Sequence, residues 1–253
     1  MGNKYFVWNF DDGLEQDKKI IEILKKYNMG ATFNVNSGLY GDQTYEGRIG
    51  NLGMTEMPKE KYEMKKKHLL PYVPHFRIPE DEVVKVYEGF EIASHTLMHK
   101  NLPQCSVIER QRQVYQDVRN LKEKFNQEIV GFAYPYGASS KECETVLKNA
   151  GIKYARIAHT DQSFRFPENP LRLPMTCWHI SKKVFDILEE FYALQTEEDL
   201  LFLMFGHGYE FDFNTKESNW EKFEKICQNV TANHDIICCS TRDAFQMHEG
   251  RSS

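Results

Sequence analysis

The stretch Lys4–Gly13 reads KYFVWNFDDG. Its opening run, Lys4 to Phe10, is short, apolar and rich in aromatics, which predicts a strand. The run ends on two adjacent carboxylates, Asp11 and Asp12, and then on Gly13, an ordinary turn former. Immediately outward, Asp17–Asn28 places Ile20, Ile21, Leu24 and Tyr27 at helical spacing, and Gly30 lies where helices commonly stop. Ala31–Asn36 (ATFNVN) reads as a second strand.

The same alternation continues along the chain. Gly89–Ala93 is a third, weaker strand. Ser106 followed by Glu109 is a capping-box signature, and Val107, Val114, Val118, Leu121 and Phe125 supply the apolar face of the helix it opens. Strands are expected at Ile129–Tyr134, Ile152–Ala158, Leu171–Met175, Leu200–Phe205 and Asp235–Cys239. Helices are expected at Ser140–Ala150, from a Ser181 cap to Leu194, at Asn219–Val230 and from a Thr241 cap to His248. Strands alternating with helices predict an α/β fold with a parallel sheet and helices outside it. Seven or eight such units in 253 residues fit a closed or nearly closed barrel. A doubly wound open sheet is the alternative.

One domain spanning 1–253 is expected, interrupted at about 40–85 by an insertion with prolines at 58, 71, 74 and 79. The insertion carries MKKKH (64–68) and LLPYVPHF (69–76), and its apolar content looks thin for a separate core. Its charge run reads as a solvated face; cover over an active site is the sharper alternative.

Composition narrows the function classes. With 32 Lys and Arg against 37 Asp and Glu, the net charge of −5 speaks against a nucleic-acid binder. No apolar run approaches the ~20 residues of a membrane span. The N-terminal apolar stretch meets Asp11 too soon for a signal peptide, and Phe6 stands where a myristoylation motif needs Ser or Thr, so a cytoplasmic protein is expected. The six cysteines, at 105, 143, 177, 227, 238 and 239, form no C-x-x-C pair, which predicts reduced, mostly buried thiols.

Four clusters could carry chemistry, and each follows an expected strand. They are Asp11-Asp12-Gly13, His95-Thr96-Leu97-Met98-His99, Phe132-Ala133-Tyr134-Pro135-Tyr136-Gly137, and Phe205-Gly206-His207-Gly208-Tyr209. Singly, each has an ordinary reading as a turn or a loop histidine. If helical, the His95/His99 spacing would set both imidazoles on one face, which suits two ligands of one metal. In a parallel barrel all four clusters would converge on one mouth. Two histidines and one carboxylate make a three-ligand site with a position left for water; a second carboxylate can then act as base and a distant histidine as acid.

In this order the clusters resemble the motifs of the polysaccharide deacetylase family, the NodB-homology domain of carbohydrate esterase family four. The resemblance runs from about residue 4 to about residue 247. Asn9 to Gly13 match the family's T-F-D-D-G, His95 to His99 its H-[ST]-x-x-H, Ala133 to Gly137 a loose R-x-P-Y-G, and Leu203 to His207 its apolar strand ending in histidine. The resemblance implies a distorted (β/α)7-8 barrel and a metal-dependent hydrolase that removes N-acetyl groups from an amino-sugar glycan or precursor. It implies Asp11 as general base and His207 as general acid. It implies Asp12, His95 and His99 as ligands of a divalent metal, usually Zn2+, and the Tyr136 N–H as an oxyanion donor. The partner it implies is an N-acetylated carbohydrate.

The sequence departs from the family in two places. Ala133 stands where the family has an arginine beside the base. The fourth motif is not distinct: Asp161 is a candidate to orient His207, Trp178 to wall the substrate pocket, with His179 and Tyr209 to Asp212 as further pocket candidates. Relatives of this fold that cleave cyclic ureides or imides give one rival reading. An inactive glycan-binding homologue, supported chiefly by Ala133, gives another.

Overall fold

The computed structural model describes residues 1–48, 54–59 and 72–252. The run MKKKH and residues 69–71 lie outside the described residues. In chain order the elements begin with β1 (Lys4–Asp11), α1 (Asp17–Lys26) and β2 (Ala31–Val35), then β3 (Gln43–Arg48), β4 (Met54–Pro58) and β5 (Tyr72–Phe76). There follow α2 (Val83–Val86), β6 (Glu91–Ser94), α3 (Val107–Phe125), β7 (Gly131–Ala133), α4 (Lys141–Asn149) and β8 (Tyr154–Thr160). The last are β9 (Leu173–Met175), β10 (Cys177–Trp178), α5 (Val184–Ala193), β11 (Leu200–Gly206), α6 (Gly208–Asp212), α7 (Trp220–Thr231), β12 (Ile236–Cys238) and α8 (Thr241–Ser252).

The run that opens the sequence is the hub. One edge of β1 pairs with β11 from Lys4↔Leu200 to Phe10↔Gly206. The other edge pairs with β12 over Lys4–Phe6 and with β2 over Trp8–Asp11. From β2 the parallel path continues through β6, β7, β8 and β9. Residues 173–178 then bring its two ends together. Leu173 and Met175 pair with β8, Cys177 and Trp178 pair with β11, and between them Thr176 N–H donates to the Leu203 carbonyl at 2.9 Å. The sheet is therefore a nearly closed (β/α) barrel, and the open-sheet alternative is excluded.

Side-chain alternation divides each strand between two environments. Phe6, Trp8 and Phe10 face the surrounding helices, where Trp8 stacks on Phe10 with centroids 5.2 Å apart and meets Phe223 of α7 edge-on at 5.0 Å. Tyr5 and Val7 face the barrel interior with Tyr154, Leu201, Leu203 and Phe205. All six cysteines are free thiols, four of them buried.

Several boundaries differ from the sequence reading. Ser181 does not cap α5: its hydroxyl accepts from Lys183 N–H in a turn before the helix, which starts at Val184. Pro170–Arg172 is a 3-10 turn, so that strand begins only at Leu173. Ser106 does cap α3, accepting from Glu109 N–H at 3.2 Å, and Asn126 ends that helix in the left-handed region at φ 50°. The last helix runs past His248 to Ser252.

The segment between β2 and α2 holds a second sheet, antiparallel in the order β4-β3-β5. Strand β5 is docked on the barrel. Glu15 N–H donates to the Phe76 carbonyl at 2.8 Å, Ile78 N–H donates to Gly13 at 3.0 Å, and Val73 packs with Leu14 and Tyr209.

Trp8 is fully buried between two other aromatic rings. Trp8→Ala is expected to lower unfolding free energy by about 3–5 kcal/mol, read as a fall in the urea midpoint. A loss below about 1 kcal/mol would show that the outer aromatic layer does not hold the helices to the sheet.

Candidate active site

Asp11 is the last residue of β1 and is buried. Its Oδ1 accepts from Asn34 Nδ2 at 2.8 Å, and its Oδ2 accepts from the guanidinium of Arg156. Arg156 Nε also donates to Asn9 Oδ1 at 3.0 Å, and its guanidinium carbon lies 4.3 Å from the centroid of the Phe205 ring. Arg156 is on β8, directly beside Ala133 of β7 in the register of the two strands. The guanidinium that the sequence lacks at 133 thus reaches the same carboxylate from the neighbouring strand. Sequence reasoning missed Arg156; the signal was a lone arginine at an inward position of the otherwise uncharged run YARIA.

Asp12 follows with φ 80°, in the left-handed region, and Gly13 repeats it at φ 69°. Asp12 N–H stays bound to the Asn34 carbonyl at 3.0 Å, so the turn remains tied to β2. Asp17, at the start of α1, accepts from Leu14 N–H at 3.0 Å and from Tyr87 O–H at 2.6 Å, which fixes the rest of the loop.

The two histidines are brought together, but not by a helix. His95 to Lys100 form a turn after β6, with Thr96 at φ 66° and His99 at φ 50°. Support comes from α3 and from Asn36, just after β2. Ser94 Oγ donates to Asp117 at 2.6 Å, Met98 N–H donates to Gln113 Oε1 at 2.8 Å, and Asn36 Nδ2 donates to the Thr96 carbonyl at 2.8 Å.

Asp12 Oδ1 is 3.8 Å from His95 Nε2 and 3.6 Å from His99 Nε2. Ligand atoms from these three residues all lie within 4.8 Å of one another. His95 Nδ1 lies 2.8 Å from the Ala133 carbonyl, which places the proton there and leaves Nε2 its lone pair. Burial, above all, lowers the pKa of both imidazoles, that of His99 to about 3, so both are neutral at pH 7. Burial alone would raise the Asp12 carboxyl, but His99, His75 and Arg77 outweigh it and hold it well below the usual range. Asp12 Oδ1 is buried without a hydrogen-bond partner. An orphaned carboxylate oxygen beside two neutral ring nitrogens fits a divalent cation, which would satisfy it.

His207 follows β11, with Nε2 3.9 Å from Asp12 Oδ2. Glu210, three residues on, orients it. His207 N–H donates to Glu210 Oε2 at 2.9 Å, and its Nδ1 lies 3.4 Å from Oε1. The same carboxylate holds Trp178 Nε1 at 3.1 Å and His179 Nε2 at 2.7 Å. Burial opposes the charged ring of His207, yet Glu210, Asp12 and Asp11 push its pKa up to about 9. A divalent cation beside Asp12 would offset part of that rise. Asp161 does not orient His207: it is exposed and accepts from Ser163 N–H at 2.9 Å. The His-x-x-Glu spacing, which lets a side chain fold back on its own loop, was the signal for Glu210.

These groups open onto a cleft of about 780 Å3. Trp178, Tyr136, Phe205 and Tyr209 line it, and the Tyr136 ring lies 4.9 Å from that of His99, on a left-handed backbone with φ 58°. Two residues of the second sheet region also reach the site. His75 Nε2 is 3.1 Å from Asp12 Oδ2, and Arg77 is 3.7 Å from Asp12 Oδ1.

A family model described as polysaccharide deacetylase matches residues 1–155. Among solved structures, a candidate polysaccharide deacetylase from Mycobacterium smegmatis superposes with a TM-score of 0.60 at 11% identity, covering 99% of this chain and 92% of that one. Peptidoglycan deacetylase PdaC from Bacillus subtilis gives 0.55 at 14%, covering 99% and 94%. A pseudoenzyme of the same esterase family from Bacillus anthracis, BA3943, gives 0.53 at 15%, covering 96% of this chain and 65% of its own. These likenesses establish the fold. No curated protein sequence matches the chain.

Burial, above all, raises the Asp17 carboxyl from 3.8 to about 8. Between those values the unfolded chain loses a proton that the folded chain keeps, so this group makes stability fall as pH rises from about 4 to 8. Asp17→Asn is expected to flatten that fall: its Tm advantage over the wild type should grow from pH 4 to pH 8. An advantage that is constant with pH would show that Asp17 is ionised in the folded protein.

Proposed function

The chain belongs to the polysaccharide deacetylase family, and from that premise we propose that it is a metal-dependent hydrolase that removes N-acetyl groups from an amino-sugar glycan or glycan precursor. The observation that carries the proposal is the division of labour between two adjacent carboxylates. Asp12 turns an orphaned oxygen toward two neutral imidazoles, while Asp11, whose Oδ2 is 3.7 Å from His95 Nε2, has both oxygens taken by hydrogen bonds from Arg156 and Asn34.

Asp12, His95 and His99 would hold the metal, for which zinc is the proposed ion. When bound, it supplies Lewis acidity and makes water acidic enough to attack an amide at neutral pH. Asp11 takes the proton of the attacking water, with Arg156 and Asn34 fixing the direction of its carboxylate. The Tyr136 N–H donates to the developing oxyanion, a contribution of about 3–4 kcal/mol for one such donor. His207, cationic and held by Glu210, gives its proton to the departing amine, the kind of transfer worth about 10²–10⁴-fold. Trp178, Tyr136 and Tyr209 offer flat apolar surface to a sugar ring and its acetyl group. The inactive-homologue reading has Ala133 as its main support, and the guanidinium of Arg156 beside Asp11 speaks for the active reading instead.

Acetate release from N-acetylated sugars, nucleotide sugars and oligomers, with and without chelator, tests the proposal. Chelator-sensitive release is expected. A zinc-loaded protein that releases acetate from none of them would overturn it.

Asp12→Ala is expected to abolish zinc uptake and hydrolysis together. His207→Ala should lower kcat by about 10²–10⁴ with zinc content unchanged. Arg156→Ala should also lower kcat at constant zinc content, and adding Ala133→Arg to that variant should restore much of the loss. A double variant no better than Arg156→Ala would show that the two positions do not exchange.

A further inference from the structure

The docked strand β5 ends at the metal ligand itself. His75 is buried, and its Nε2 is 3.1 Å from Asp12 Oδ2, the oxygen opposite the one that faces His95 and His99. Its Nδ1 lies 3.2 Å from the hydroxyl of Thr44 on β3. We propose that His75 is a positioning residue of the metal centre, so that strand β5 is a working part of the site. This rests on the reading that Asp12, His95 and His99 hold the metal.

The chemistry follows from the two oxygens of one carboxylate. A carboxylate only accepts hydrogen bonds, so the ring nitrogen 3.1 Å from Oδ2 serves it as an N–H donor. That bond pins the plane of the carboxylate and leaves Oδ1 free of protein donors, which is how it is found. A ligating carboxylate that can rotate has to be ordered each time a metal binds; one already held does not.

The donor is itself held. The backbone of Phe76 in β5 and of Ile78 just after it is bonded to Glu15 and Gly13, Gln16 Nε2 donates to the Pro74 carbonyl at 2.8 Å, and the Tyr209 ring lies 5.1 Å from the imidazole. Arg77 does not duplicate the role. It pairs more closely with Asp42, at 3.3 Å, than with Asp12, at 3.7 Å.

The test is zinc affinity of the full chain, measured by competition with a chromophoric chelator, with Tm recorded for each variant. His75→Ala should weaken zinc binding about 10–100-fold, the usual effect of removing such a partner. His75→Gln, whose amide N–H can still reach Oδ2, should recover most of that loss. Wild-type zinc affinity in His75→Ala, with only Tm lowered, would reduce His75 to a structural residue and overturn the proposal. So would a His75→Gln variant that binds zinc no better than His75→Ala. Because the readout is zinc uptake, a chain whose zinc affinity depends on His75 but that releases no acetate would sink only the deacetylase reading. A chain that releases acetate while His75→Ala binds zinc normally would sink only this one.

Discussion

Two adjacent carboxylates, 3% and 5% exposed, stand at the C-terminal end of β1. Like charges this close, out of water, cannot both stay ionised without compensation. The structure compensates them separately. Asp11 receives a guanidinium and an amide from β8 and β2. Asp12 turns away through a left-handed backbone and receives a hydrogen bond from His75, the guanidinium of Arg77 at 3.7 Å and the ring of His207 at 3.9 Å. Much of the polar inventory at this end of the barrel answers that one electrostatic demand, and answering it gives two neighbouring carboxylates different surroundings, on which the proposed division into base and metal ligand rests.

The architecture makes this affordable only because the barrel closes. Residues 173–178 pair with β8 at one end and β11 at the other, which places Trp178 of the seam beside His207 and Glu210 of β11 and its following loop. In an open sheet those groups would face solvent, and the carboxylate of Glu210 could not serve a tryptophan, a buried histidine and the loop of His207 at once.

The sequence was most legible where chemistry and periodicity coincide. KYFVWNF is aromatic and apolar enough to be read as a strand, and its position before Asp-Asp-Gly locates the mouth. The four strand-end clusters converge as expected because parallel strands present all their C-terminal ends together. Legibility fails where function depends on which strands are neighbours. Arg156 is 23 residues from Ala133, and only the β7–β8 register shows that they occupy one place. Likewise, the i, i+4 spacing of His95 and His99 sets both rings on one face only if the segment is helical, and the structure instead uses a turn with two left-handed residues, a conformation no periodicity reports. His75 lay in a segment with a thin apolar pattern, so nothing local marked it. Glu210 was within reach of the sequence as a side chain three positions past a strand-end histidine, a spacing that suits a reach back to its own loop.

The side-by-side placement of Ala133 and Arg156 has a consequence for how relatives of this protein are compared. The residue at 133 is an alanine, with only a methyl side chain, and the guanidinium reaches Asp11 from β8 rather than from β7. A search that scores contiguous strings counts the alanine as a lost catalytic feature, although the positive charge has moved only one strand spacing.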